Sequence, residues 1–143
     1  MNEIAQISTR GKVEAIEAEL LKLPQVAMEV RHHFAPGMYA RELHIPAGTL
    51  LTGKIHKYAQ INILSKGTIR VLTENGIEEV SASFTVVSPP GTKRIALAVT
   101  DCVWTTLLPT DEKDPDVIEE HFTVATEAEY EAFLIAENTK CLS

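Results

Sequence analysis

The sequence predicts an all-β fold, one small barrel or sandwich with a short helix at each end. Three observations carry this prediction. Between Val26 and Thr106 the chain is a series of short apolar-rich runs broken by turn residues, whereas the flanks, 12–23 and 126–137, carry apolar residues at helical spacing. The length of 143 residues falls within the ~100–200 expected of one domain, and 45% hydrophobic residues are enough for one packed core. The expected organisation is an N-terminal helical segment over 1–25, a β-barrel over 26–109, and an acidic loop with a C-terminal helix over 110–143.

In the first segment Val13, Ile16, Leu20 and Leu23 lie on one helical face, with Glu14, Glu17 and Glu19 on others, and Pro24 stops the helix. The predicted strands are Val26–Phe34, Tyr39–Ile45, Thr52–His56, Gln60–Ser65, Gly67–Thr73, Ile77–Val80, Phe84–Ser88, Arg94–Val99 and Cys102–Leu108. Pro36-Gly37, Pro46-Ala47-Gly48, Asn75-Gly76 and Pro89-Pro90-Gly91 supply the turn geometry between them. Asn75-Gly76 favours a tight hairpin. Thr110 to Asp116 reads as an exposed acidic loop, and Thr126 with Glu129 has capping-box spacing at the start of the last helix.

The totals exclude several classes. Twenty acidic against 13 basic residues give a formal charge of -7, which argues against a general nucleic-acid binder. Cys102 and Cys141 form neither a disulfide framework nor a metal clip, so a reducing cytoplasm is expected. Met1 to Arg10 lacks the apolar core of a secretory signal, and no run approaches the ~20 apolar residues of a membrane span.

The segment Pro46-Ala-Gly-Thr-Leu-Leu-Thr-Gly-Lys-Ile-His-Lys-Tyr-Ala-Gln-Ile-Asn-Ile-Leu-Ser-Lys-Gly67 closely resembles the first motif of the cupin superfamily. That motif runs from a Pro-x-Gly turn to a His-x-His pair, an acidic residue and a later glycine. Aligned on Gly67, the acidic position falls on Gln60, the second histidine on His56 and the first on Lys54. Pro89-Pro90-Gly91 resembles the turn of the second motif and puts its histidine position at Arg94. The resemblance spans residues 39–108, about half the chain, and implies a cupin-type jelly-roll barrel with an interior ligand pocket.

Residues two apart on a strand share a face, so Lys54 and His56 are expected to point one way, and Gln60 and Asn62 likewise on the next run. In the cupin register Lys54, His56, Gln60 and Arg94 converge inside the barrel. Metal-binding cupins use three histidines and a carboxylate, but ammonium and guanidinium groups have no lone pair to offer, so no metal cofactor is expected. Arg94 and Lys54 instead suit a carboxylate or phosphate. The ligand-binding candidates are therefore Lys54, His56, Gln60, Asn62 and Arg94, with Glu42 or Glu74 as internal counter-charges. The bland alternatives are that Lys54 faces water, Arg94 is a solvated loop residue, and His56 is structural.

His32 and His33 face opposite sides of a strand and do not share an ion; His44 sits at a strand end and His121 in a polar connection. Cys102 and Trp104 read as core, with the alternative that Trp104 lines the pocket and stacks on a ring, and Ser65 and Ser88 read as structural. The runs 35–43, 54–57, 63–67 and 90–94 are similar to those of small cupin-like proteins of tailed bacteriophages and prophages, which implies a phage origin and a bacterial cytoplasmic location. The expected function is binding of an anionic small molecule, such as a nucleotide, sugar phosphate or carboxylate, by a homodimer. The alternatives are a cupin enzyme, either a metal-dependent oxygenase or isomerase or a metal-free isomerase or lyase, and a structural assembly protein.

Overall fold

Two antiparallel sheets, each formed from strands distant in sequence, organise the centre of the molecule. The structure is a computed structural model and describes residues 9–22, 26–73 and 76–142. Its strands are β1 (Glu29–Ala35), β2 (Met38–Ile45), β3 (Leu50–Thr52), β4 (Ile55–His56), β5 (Gln60–Lys66), β6 (Thr68–Thr73), β7 (Gly76–Ser81), β8 (Phe84–Ser88), β9 (Ile95–Ala98), β10 (Cys102–Leu108) and β11 (Thr123–Val124). The helices are α1 (Thr9–Leu20), α2 (Pro115–Phe122) and α3 (Glu127–Leu142). One sheet has the order β1-β2-β10-β5-β8 and the other β3-β9-β6-β7, while β4 pairs with β11.

Alternation decides which side chains enter the core. On β2 the buried residues are Tyr39, Leu43 and Ile45, and on β5 they are Gln60, Asn62 and Leu64. Leu43, Ile45, Leu64 and Cys102 of the first sheet form one cluster with Ile69, Val71, Ala96 and Ala98 of the second, so the core lies between the sheets. This is the jelly-roll arrangement expected from the sequence. Gly67 makes the turn from β5 to β6, with φ +90°, and a Cβ there would meet the Asp101 carbonyl oxygen and Cys102 Sγ.

Several elements differ from the sequence reading. The run Thr52–His56 falls in two strands, because Gly53 and Lys54 lie outside any strand and the chain moves from β9 to β11 as its partner. The first run begins at Glu29 rather than Val26, and Arg94 lies just before β9. Strands β6 and β7 form the expected hairpin, with Thr73 opposite Gly76; Glu74 and Asn75 lie outside the described residues, as do Leu23 and Pro24. Helix α1 buries Val13 and reaches the second sheet through Glu17, whose carboxylate accepts hydrogen bonds from Lys93 Nζ at 2.8 Å and Thr52 Oγ1 at 2.5 Å.

The main correction concerns α2, which occupies part of the expected acidic loop and places His121 in a helix. Asp114 caps it by accepting from the Asp116 N–H at 3.0 Å, and Pro115 supplies a first-turn φ. Ile118 and Phe122, one turn apart, pack on Tyr39 and Leu108. Helix α3 starts as predicted, with the Glu129 N–H donating to Thr126 Oγ1 at 3.2 Å, and continues to Leu142 instead of ending near Glu137. Among the described residues no helix is long and apolar enough to cross a membrane.

Candidate functional site

Between the sheets is a partly open cavity of about 540 Å³, with α2 contributing to its wall. Its inner surface is layered because the strands are in register. Leu43, Trp104 and Leu64 form one cross-strand row, and Arg41, Thr106 and Asn62 form another one alternation away. The first row belongs to or packs on the apolar core, whereas the second begins a polar region.

A chain of hydrogen bonds extends that polar row to the opposite sheet. Thr106 Oγ1 donates to Asn62 Oδ1 at 2.7 Å, and Asn62 Nδ2 donates to Ser88 Oγ at 2.8 Å. Ser88 Oγ also accepts from Arg94 Nη1 at 2.8 Å. Asn62 and Ser88 are almost fully buried, so neither has water as a substitute partner. The network therefore fixes one arm of the Arg94 fork. Among the described residues no carboxylate lies within ion-pair distance of Arg94, and burial lowers the pKa of its guanidinium.

His56 is held from the backbone side: its N–H donates to the Thr92 carbonyl at 3.0 Å, and its carbonyl accepts from the Gly91 N–H at 2.7 Å. Burial first, and then the charges of Arg94 and Arg41, push the imidazole pKa down to about 4 against the opposing effect of Glu119. The ring is thus neutral near pH 7. Its Nδ1 is buried and makes no hydrogen bond, and neither does Oε1 of Gln60, a residue only 5% exposed. Both side chains line the cavity.

The structure brings His56, Gln60, Asn62 and Arg94 together on the cavity wall, whereas Lys54 stays at the rim. Lys54 is outside any strand, so the shared-face argument with His56 does not hold for it. Its side chain is 51% exposed, and Nζ lies 3.4 Å from Glu119 Oε1 on α2. Glu42 is not the counter-charge expected of it. It faces away from the cavity, with Oε1 3.2 Å from His33 Nε2 and Oε2 2.5 Å from His44 Nε2. Those hydrogen bonds, His44 first, hold its carboxyl below the usual range against the opposing effect of burial. Glu74 lies outside the described residues.

Other assignments also change. His32 is an exposed residue of β1, as expected, and in addition its Nδ1 is 2.6 Å from the Tyr39 hydroxyl and it borders the cavity, whereas His33 turns to the other side. Trp104 lines the cavity as well as packing on the core. His121 stacks on Tyr58, with ring centroids 5.9 Å apart. Arg41 and Ser88 were missed as site residues. Arg41 has a signal in the sequence, as it shares strand parity with Tyr39, Leu43 and Ile45, but the role of Ser88 depends on a cross-sheet contact with no local pattern.

The metal that the cupin resemblance brings with it does not fit these donors. The four corresponding positions offer one imidazole and one amide, beside an ammonium and a guanidinium. Among the described residues no group of three or more His, Cys, Asp or Glu is placed to hold a metal ion.

No protein-family model matches the sequence, and no curated protein matches it. Solved structures do share the architecture. Ectoine synthase from P. lautus aligns with a TM-score of 0.55 at 12% identity, covering 73% of this chain and 79% of that one. KdgF from Halomonas sp. aligns at 0.52 and 18% identity, over 65% of this chain and 87% of its own. A cupin-2 domain containing protein from Shewanella frigidimarina gives 0.48 at 12% identity, over 66% and 92%. At such identities the likeness bears on the fold alone, which is an all-β cupin-type jelly roll with short flanking helices.

Proposed function

We propose that the protein binds a small anionic molecule in the inter-sheet cavity without using a metal ion. The observation that carries this reading is Arg94, a partly buried cation with no carboxylate partner among the described residues, oriented by Ser88. A cation so placed is stabilised by an anion that brings its own charge into the site. Arg41 adds a second positive charge, and His56, Gln60 and Asn62 provide polar lining. Lys54 stays at the rim, ion-paired with Glu119, and is not one of the anion-holding groups. The ligand classes are those with a carboxylate or phosphate.

The experiment is mass spectrometry of small molecules released from denatured, freshly purified protein, with elemental analysis on the same sample. The expected result is an anion released from the wild type and absent from Arg94→Met. A stoichiometric transition metal, or an identical release from both proteins, would overturn the proposal.

A second reading, metal-free acid–base catalysis, is favoured by the neutral, partly buried imidazole of His56, on which the charge of Arg94 acts and where Arg94 would stabilise an enolate-like charge. Turnover of the released anion that disappears in His56→Gln distinguishes it from binding alone. The proposal extends to a homodimer, since Ile61 and Val87 are cross-strand neighbours exposed on the outer face, Val87 by 67%. Similarity to phage-encoded cupin-like proteins suggests a bacterial cytoplasm as the setting.

A further inference from the structure

We propose that the ligand is a hydroxycarboxylate with an apolar body, its carboxylate at Arg94 and Arg41, its hydroxyl donating to Gln60 Oε1, and its apolar part against Leu43 and Trp104. This rests on the anion-binding reading and narrows it. The first support is the layering of the wall. The polar row of Arg41, Thr106 and Asn62 lies directly beside the apolar row of Leu43 and Trp104, so a ligand that reaches Arg41 meets apolar surface in the next layer. An apolar body gains from this burial, whereas a hydroxyl placed there loses its water without a replacement partner.

The second support is the number of unpaired groups. Among the described residues the buried side-chain atoms without a hydrogen bond are His56 Nδ1 and Gln60 Oε1, both on residues lining this cavity. An amide oxygen can only accept, so it calls for a ligand donor. Two such atoms match one or two hydroxyls, not the full set of a sugar. An ammonium donor is disfavoured beside Arg94 and Arg41, so the donor is a neutral group, of which a hydroxyl is the simplest on a carboxylic acid. The neutral His56 ring adds no charge, and Lys54 is paired with Glu119, so the fixed charge at the polar end comes from two guanidinium groups. That suits one carboxylate better than a polyphosphate. A volume of about 540 Å³ is ample for a single ring or branched chain.

The test is calorimetric titration of the full chain at neutral pH with three matched pairs: 3-phenyllactate and 3-phenylpropanoate, mandelate and phenylacetate, 2-hydroxyisocaproate and 4-methylpentanoate. Lactate, glucose 6-phosphate and AMP complete the series. In at least one pair the hydroxy acid is expected to bind on the order of tenfold tighter than its deoxy partner, because it satisfies a buried acceptor. Lactate, lacking the apolar body, is expected to bind more weakly than that hydroxy acid. Gln60→Met, similar in volume, should abolish the hydroxyl preference; the paired comparison on the wild type stands even if this variant does not fold. Arg94-dependent binding of glucose 6-phosphate or AMP tighter than every hydroxy acid, or no hydroxyl preference in any pair, overturns this inference and leaves anion binding intact. If no anion of the series binds in an Arg94-dependent manner, the anion-binding reading falls with it.

Discussion

Glu17 on α1 and Lys93, just ahead of β9, form an ion pair at 2.8 Å in which the lysine side chain is only 1% exposed. They are far apart in sequence, so this contact fastens the N-terminal helix to the second sheet. Burial raises the Glu17 pKa, but hydrogen bonds from Lys93 and Thr52 outweigh it and the net shift is downward. Removing one member strands the other. Glu17→Ala is expected to cost about 3 kcal/mol, the lower end for a broken buried pair, since Glu17 keeps some contact with water. Urea denaturation measures this, and Glu17→Leu with Lys93→Met should recover most of the loss.

Ser88 Oγ is the shared acceptor of Asn62 and Arg94. Ser88→Ala leaves two donors without their partner, at a cost of about 1–3 kcal/mol. Ser81, which bonds Thr68 on an exposed face, is the control; Ser81→Ala should change stability by under about 0.5 kcal/mol. Equal denaturation midpoints for the two variants would contradict the network described above.

Gly67 tests how tightly the turn between β5 and β6 is constrained. With φ +90° and the Asp101 carbonyl in the path of any Cβ, Gly67→Ala should lose about 3 kcal/mol or more. Gly37 has φ +74° and open space around it, so Gly37→Ala should cost only about 1 kcal/mol, the backbone penalty alone. Thermal melts of both variants provide the comparison.

Gly67 also shows what was legible in the sequence. Alternating apolar runs and Pro-Gly punctuation identified the strands because strand parity and turn geometry are local properties. The same parity placed Gln60 and Asn62 inside correctly. It failed at Lys54, where the strand is interrupted and parity has no meaning. Helix α2 was missed although Asp114 and Pro115 are ordinary helix-start residues, because the acidic composition outweighed them; its apolar face is only Ile118 and Phe122. Arg41 was recoverable from parity with Tyr39, Leu43 and Ile45. The roles of Ser88 and Glu119 were not, since each depends on a residue of another element.

Arg94 and Lys54 should respond oppositely to removal. Lys54 and Glu119 are both about half exposed, so Lys54→Ala is expected to cost under about 1 kcal/mol. Arg94 is disfavoured by its own burial, and without ligand Arg94→Met should leave stability unchanged or raise it by about 1–2 kcal/mol. A loss greater than about 2 kcal/mol in the ligand-free protein would make Arg94 a structural tie instead of a binding group.

The last expectation concerns pH. His56 has a folded-state pKa of about 4 against an ordinary value of 6.5, so between these values the unfolded chain binds more protons than the native one. Stability is therefore fully present above about pH 6.5 and is lost as pH falls towards 4, by up to about 3 kcal/mol. The groups acting on the ring are Arg94 and Arg41, which favour its neutral form, and Glu119, which opposes them. The carboxylates whose pKa values are lowered, Glu17, Glu29 and Glu42, lose their contribution only below their ordinary value of 4.5, so pH 4.5–6.5 lies above their range. Urea midpoints measured across that interval should fall with pH in the wild type and fall less steeply in His56→Gln. Parallel curves for the two proteins would mean that His56 is not held neutral in the folded state.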